Sequence, residues 1–159
     1  AAINPPIDLE RCSQRFERPE NRYYERRFVR DLIANVQKRR AAFPDLPDYG
    51  LHPEMSLRSF DDRYTAPVNG FRDAADYYDR SSSAPLLGRI TIPTLILTAR
   101  DDTFVDPAPF EAIPALPHLR VWIVPHGGHV GYIDRWGDRW AERVTAEWLL
   151  GQLRVAPLE

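Results

Sequence analysis

The stretch Ile90-Thr91-Ile92-Pro93-Thr94-Leu95-Ile96-Leu97-Thr98, with the turn Ala99-Arg100-Asp101-Asp102-Thr103-Phe104-Val105-Asp106-Pro107 behind it, decides the fold. Its first part is rich in β-branched and apolar residues, the composition of a parallel strand buried on both faces. Its second part carries two adjacent carboxylates and then Asp106-Pro107, a capping carboxylate with proline in the first turn of a helix. That helix is expected to run to about Ala115. A second apolar run, Leu119 to Val124, follows, and then the turn Pro125-His126-Gly127-Gly128-His129-Val130-Gly131-Tyr132. Strand, helix and strand at this spacing read as a parallel crossover. Parallel strands end on one shared edge of the sheet, the edge where ligands bind. An aspartate after one strand and a histidine after the next can meet there, as the orienter and general base of an acyl-transfer triad.

His129 lies between Gly127-Gly128 and Val130-Gly131. Glycines allow positive φ and close backbone approach, which suits a turn that presents an imidazole at a sheet edge. Of the two neighbouring acids, Asp102 is the expected partner of His129, and Asp101 braces the turn. His126 reads as a rim residue, and His118 and His52 as loop residues beside Pro117 and Pro53. No HExxH or CxxC spacing is present, and no glycine-rich phosphate loop, so neither a metal nor a nucleotide is indicated. A nucleophile is not evident. Ser81-Ser82-Ser83 reads as caps and turns, and Cys12 as a small buried hydrophobe.

Hydrophobic and charged shares of 43% and 28% place the 159 residues with soluble globular domains. A net charge of -2, with both signs interspersed, gives no field for nucleic acid. The single cysteine fits a reducing compartment, and a cytoplasmic location is expected. No apolar run reaches the ~20 residues of a membrane span.

Upstream, Ala1-Ala2-Ile3-Asn4 reads as the end of a strand stopped by Pro5-Pro6, and Asp8 as the cap of a helical turn through Leu9 and Cys12. Tyr24, Phe28, Leu32 and Val36, with Val29 and Ile33 beside them, mark an amphipathic helix from Arg22 to about Ala42. Its opposite face carries Arg26, Arg30, Lys38, Arg39 and Arg40, read as a solvated face. Short helices are expected at Leu57 to Tyr64, with Phe60 inward, and at Phe71 to Tyr78, separated by a loop from Thr65 to Gly70. A last helix is expected from about Arg135 to Leu153. There Trp136, Trp140, Val144 and Trp148 form an i+4 stripe, with Leu149 beside it, that packs on the sheet.

Taken together, Asp61, Gly70-Phe71, Asp76-Tyr77-Tyr78, Ser82, Ile90, Pro93, Leu95, Leu97, Asp101-Asp102 and the His126 to Tyr132 turn resemble the C-terminal half of an α/β-hydrolase of the YheT-like esterase family. The resemblance covers nearly the whole chain. It implies an α/β fold of parallel strands with flanking helices plus a mostly helical lid. Residues 1–10 would end a core strand, 11–88 form the lid, and 89–159 complete the core. By this resemblance Asp102 matches the triad acid and His129 the base. The order in this fold is serine, acid, histidine, so the nucleophile is expected upstream of Ala1, and the chain, which begins without methionine, reads as a piece of something longer. No Gly-x-Ser-x-Gly occurs in the sequence.

The expectation is therefore a serine carboxylesterase or lipase-like hydrolase of small-molecule or lipid esters, needing no metal or organic cofactor. These 159 residues alone are expected to be inactive. They are also expected to be poorly soluble, because a sheet short of neighbours exposes an edge and a face. The alternative is a non-catalytic interaction module derived from a hydrolase. A membrane-surface role for Arg22 to Arg40 is the weaker third reading.

Overall fold

Three strands form one parallel sheet: β1 (Ala2–Ile3), β2 (Thr94–Ala99) and β3 (Leu119–Val124), in the order β1-β2-β3. The structure is a computed structural model that describes residues 1–155; the last four positions of the expected 89–159 segment lie outside the described residues. The chain divides into two compact units, residues 8–82 forming one, and residues 1–7 with those from 83 onward the other.

In the sheet unit, β2 is the middle strand, and Leu95 to Ala99 are buried on both faces, as an apolar β-branched run requires. The strand opens at Thr94 rather than at the expected Ile90. Pro93 has no N–H for the ladder, Ile92 is exposed, and the first N–H to pair is that of Thr94, which donates to His118 O at 2.7 Å. Ile3 pairs with Leu97, and Ala99 with Val124. A 3-10 turn over Ala84–Arg89 leads towards β2.

Two expected helices change. Between β2 and β3 the helix α6 spans only Ala108–Glu111, and Asp106 Oδ1 accepts the Ala108 N–H as anticipated. It stops short of Ala115 because Pro114 drives the residue before it out of the helical region. The last helix, α7, is Trp140–Val155, so the expected start at Arg135 is wrong by more than a turn. Asp134 Oδ1 accepts the N–H groups of Trp136 and Asp138, and Gly137 sits at φ 87°, closing a tight turn in place of a helix. Trp136 therefore points to solvent, and the stripe reduces to Trp140, Val144 and Trp148, with Leu149 exposed as well. Trp140 and Val144 pack on Leu97, Ala99, Tyr132 and Ala141, and the Trp140 ring stacks on Tyr132 with centroids 6.2 Å apart.

The unit 8–82 is helical. It holds α1 (Leu9–Phe16), a 3-10 turn at Pro19–Asn21, α2 (Arg22–Ala42), α3 (Leu57–Phe60), α4 (Ala66–Val68) and α5 (Ala74–Ser81). Asp8 caps α1 through the Arg11 N–H, and Asp73 caps α5 through the Asp76 N–H. Cys12 is half-buried rather than buried. The inward face of α2 is Glu25, Val29, Ile33 and Val36, which meet Met55 and Phe60; Tyr24 and Phe28, expected on that stripe, are exposed. Residues 65–70 are not simply a loop. A π-helical turn over Asp61–Thr65 closes through Ala66 N–H to Asp61 O and runs on into α4, and this wider turn absorbs the missing N–H of Pro67.

Leu97 is fully buried at the centre of the sheet-unit core. Leu97→Ala should lower unfolding free energy by about 3 kcal/mol, read from the denaturant midpoint.

Candidate active site

Each parallel strand delivers one polar residue to the same edge of the sheet: Asn4 after β1, Asp102 after β2 and His129 after β3. This follows from parallel pairing alone, because all three C-terminal ends lie together.

His129 Nδ1 lies 3.0 Å from Asp102 Oδ2. Asp102 is fully buried, whereas the His129 side chain is partly open to solvent. Asp102 Oδ1 accepts the backbone N–H groups of Phe104 at 2.8 Å and Val105 at 2.9 Å. Oδ2 accepts from His129 and from the Asn4 amide. Burial by itself would raise the Asp102 pKa. The hydrogen bonds from His129, Val105, Phe104 and Asn4 outweigh it and hold the carboxyl below its ordinary range. A carboxylate on Nδ1 selects the tautomer that leaves Nε2 as the ring nitrogen for proton transfer. The Phe104 ring stands edge-on to the imidazole, centroids 5.3 Å apart.

Asp101 serves the backbone. Its Oδ1 accepts the N–H groups of Gly127 at 3.0 Å and Gly128 at 2.9 Å, and its Oδ2 lies 3.3 Å from Nδ1 of the exposed His126. These bonds, that from Gly128 foremost, hold its carboxyl below the ordinary range. Asp101 thus braces the turn, and His126 sits on the rim. His118 offers its carbonyl to Thr94, and His52 lies in a loop of the helical unit. Ser82 bridges Leu9 N–H and Tyr78 O, a turn role as expected.

Asn4 is the third polar side chain at this edge, and no motif in the sequence marks it. Its side chain is 2% exposed and its φ is +45°. The amide Nδ2 donates to Asp102 and, at 2.9 Å, to Gly128 O, while Oδ1 accepts from the Tyr132 hydroxyl. Tyr132 is pushed up to about 12 by burial and by the nearby Asp102 charge, so its phenol is a neutral donor. One sequence signal was available: an asparagine at a strand end before Pro5-Pro6 is among the few residues that enter left-handed backbone readily. Close by, a mainly apolar pocket is lined by Val124, His126, Tyr132, Ile133 and Trp140 among others, without His129 or Asp102.

A model of the α/β-hydrolase fold matches residues 8–135. The chain belongs to the α/β-hydrolase fold family. Among relatives of this α/β-hydrolase, "Putative esterase YheT" of Escherichia coli K12 is 38% identical over 96% of this chain and 47% of its own length. The monoacylglycerol lipase of Saccharomyces cerevisiae is 31% identical over 87% of this chain and 33% of its own. Mouse phospholipase ABHD3 is 34% identical over 77% and 31%. The chain spans less than half the length of these curated relatives.

Two outcomes follow from the geometry. A Cβ at Gly127 would lie 2.4 Å from Cε1 of the buried Tyr132 ring, so Gly127→Ala should cost about 1–3 kcal/mol in thermal or denaturant unfolding. Asp102 titrates below its ordinary value in the folded chain, so its stabilisation is complete above the unfolded pKa and is lost as pH falls through the folded one. The stability gap between the native chain and Asp102→Asn should hold above about pH 5 and shrink as pH falls below about 4 in a melting-temperature series.

Proposed function

We propose that this chain supplies the acid and the base of an ester hydrolase, Asp102 and His129. The observation that carries the reading is the 3.0 Å contact of His129 Nδ1 with a buried carboxylate at the C-terminal edge of parallel strands. In this reading His129 Nε2 takes the proton of a serine hydroxyl as that oxygen attacks the ester carbonyl. It returns the proton to the departing alkoxide, and then activates the water that releases the acid. Asp102 keeps the ring oriented and stabilises the imidazolium formed in between.

The serine lies outside these 159 residues in this proposal, because no Gly-x-Ser-x-Gly occurs in them. Relatives named as an esterase, a monoacylglycerol lipase and a phospholipase support carboxylic or lipid esters as the substrate class. A lid role for residues 11–88 and a cytoplasmic location belong to the same proposal. Among the described residues no helix is long and apolar enough to cross a membrane. The alternative is a binding module that keeps the fold without turnover, and the absent nucleophile motif is what favours it.

The 159-residue chain alone should show no turnover of p-nitrophenyl esters above the buffer rate; turnover abolished by His129→Ala would overturn the assignment of the nucleophile. In a protein carrying this chain together with a nucleophile elbow, Asp102→Asn should lower kcat by about 10⁴-fold and His129→Ala by at least as much. Unchanged kcat in both variants would reject the roles of Asp102 and His129, and no turnover at all in that protein would favour the module.

A further inference from the structure

We propose that Asn4 is a positioning residue for the acid–histidine pair, fixing both the Asp102 carboxylate and the peptide that precedes His129. The proposal rests on the hydrolase reading for its catalytic meaning, but its geometry stands apart from any turnover.

Asn4 is the polar residue that β1 contributes to the shared edge. Its backbone continues the strand pairing, since Asn4 N–H donates to Leu97 O at 2.8 Å. Beyond that bond the chain turns into left-handed backbone at φ +45°, followed by Pro5-Pro6. That conformation is costly for most side chains and mild for asparagine. The residue is also nearly sealed from water, where each polar atom left without a partner is penalised.

Both amide protons and one lone pair of the amide oxygen are used. The NH2 group has two protons and faces two acceptors, Asp102 Oδ2 and Gly128 O; the carbonyl faces one donor, the Tyr132 hydroxyl. The opposite amide orientation would set oxygen against a carboxylate and a carbonyl, so the network determines the orientation. An aspartate here could accept from Tyr132 but could donate to neither acceptor, and it would add a second negative charge beside Asp102. A leucine could do none of these things. The residue type is thus what the position demands.

Two consequences reach His129. First, the carboxylate of Asp102 receives four donors, two at each oxygen, and Asn4 supplies the one that shares Oδ2 with the imidazole. A carboxylate held at both oxygens cannot rotate away from the ring. Second, Gly128 is gripped from both sides: its N–H by Asp101 and its C=O by Asn4. Gly128 is at φ +57°, a freely bending residue next to His129, and these two bonds remove that freedom. The titratable groups that face Asp102 within the sheet unit are His129 and Tyr132, with Asp101 and His126 on the outer side of the same turn.

The test uses ¹⁵N-labelled full 159-residue chain and reads the ring nitrogens of His129 and solvent exchange of its Nδ1 proton. Asn4→Gly keeps the positive φ and removes the side chain; Asn4→Asp keeps the shape and removes both donors. In both, the Nδ1–H signal should exchange about tenfold faster than in the native chain, with a rise in the Nε2–H tautomer. Tyr132→Phe, which removes only the bond that orients the amide, should move the same signal less. If Asn4→Gly fails to fold, Asn4→Asp decides. Ring-nitrogen signals and exchange unchanged in a folded Asn4 variant, even with a lowered melting temperature, would overturn the proposal and leave Asn4 a purely structural residue. No turnover is needed for this readout, so a failed hydrolase reading and a failed role for Asn4 give separate results.

Discussion

A carboxylate taken fully out of water must be met by donors, and Asp102 is such a group. Its surroundings answer that constraint. The turn after β2 folds back so that two of its own amides reach Oδ1, β1 is followed by an asparagine whose NH2 reaches Oδ2, and the turn after β3 brings an imidazole to the same oxygen. Losing any one donor leaves charge less compensated in a buried place. Asp102 is therefore the point at which the three strand ends are tied together.

The sheet makes this economical. Because the strands are parallel, no side chain has to reach far; each comes from the first few positions past a strand end. The middle strand is buried along most of its length, and the turn behind it leaves Arg100 and Asp101 exposed while folding Asp102 back into the dry interior. The outer turn keeps His129 partly in solvent. Adjacent aspartates divide the labour: Asp101 organises backbone amides of the glycine turn, and Asp102 holds the ring.

The helical unit pairs several of its buried polar groups internally. Glu25, buried on α2, accepts the N–H of Leu57 at the start of α3. Asp61 accepts the Tyr78 hydroxyl at 2.6 Å, with burial as the main influence pushing the carboxyl up and the phenol well above its ordinary range. Arg58 places one guanidinium nitrogen 2.8 Å from each oxygen of Glu10. These contacts, with the Val29, Ile33, Val36, Met55 and Phe60 cluster, give residues 8–82 an internal core of their own.

The sequence by itself determined the two strands that matter, the turns behind them and the residue types at the edge. Ile92 to Val124 alternates buried runs with prolines and acids in an order that leaves few topologies open, and the choice of Asp102 over Asp101 agrees with the pairing observed. It also determined the long α2 helix, but not its inward face: Tyr24 and Phe28 satisfy a helical period equally well, and only the position of Met55 and Phe60 selects Val29 and Ile33. The run from Arg135 looked helical because tryptophans at i+4 fit that period, whereas Asp134 and Gly137 formed a turn through side-chain-to-backbone bonds that periodicity does not register. For Asn4 the sequence offered only a strand end suited to left-handed backbone, and tertiary structure decided its partners. Its partners lie 98, 124 and 128 residues away, and a contact made across that distance leaves no local pattern, because it exists only once three strand ends have been brought to one edge.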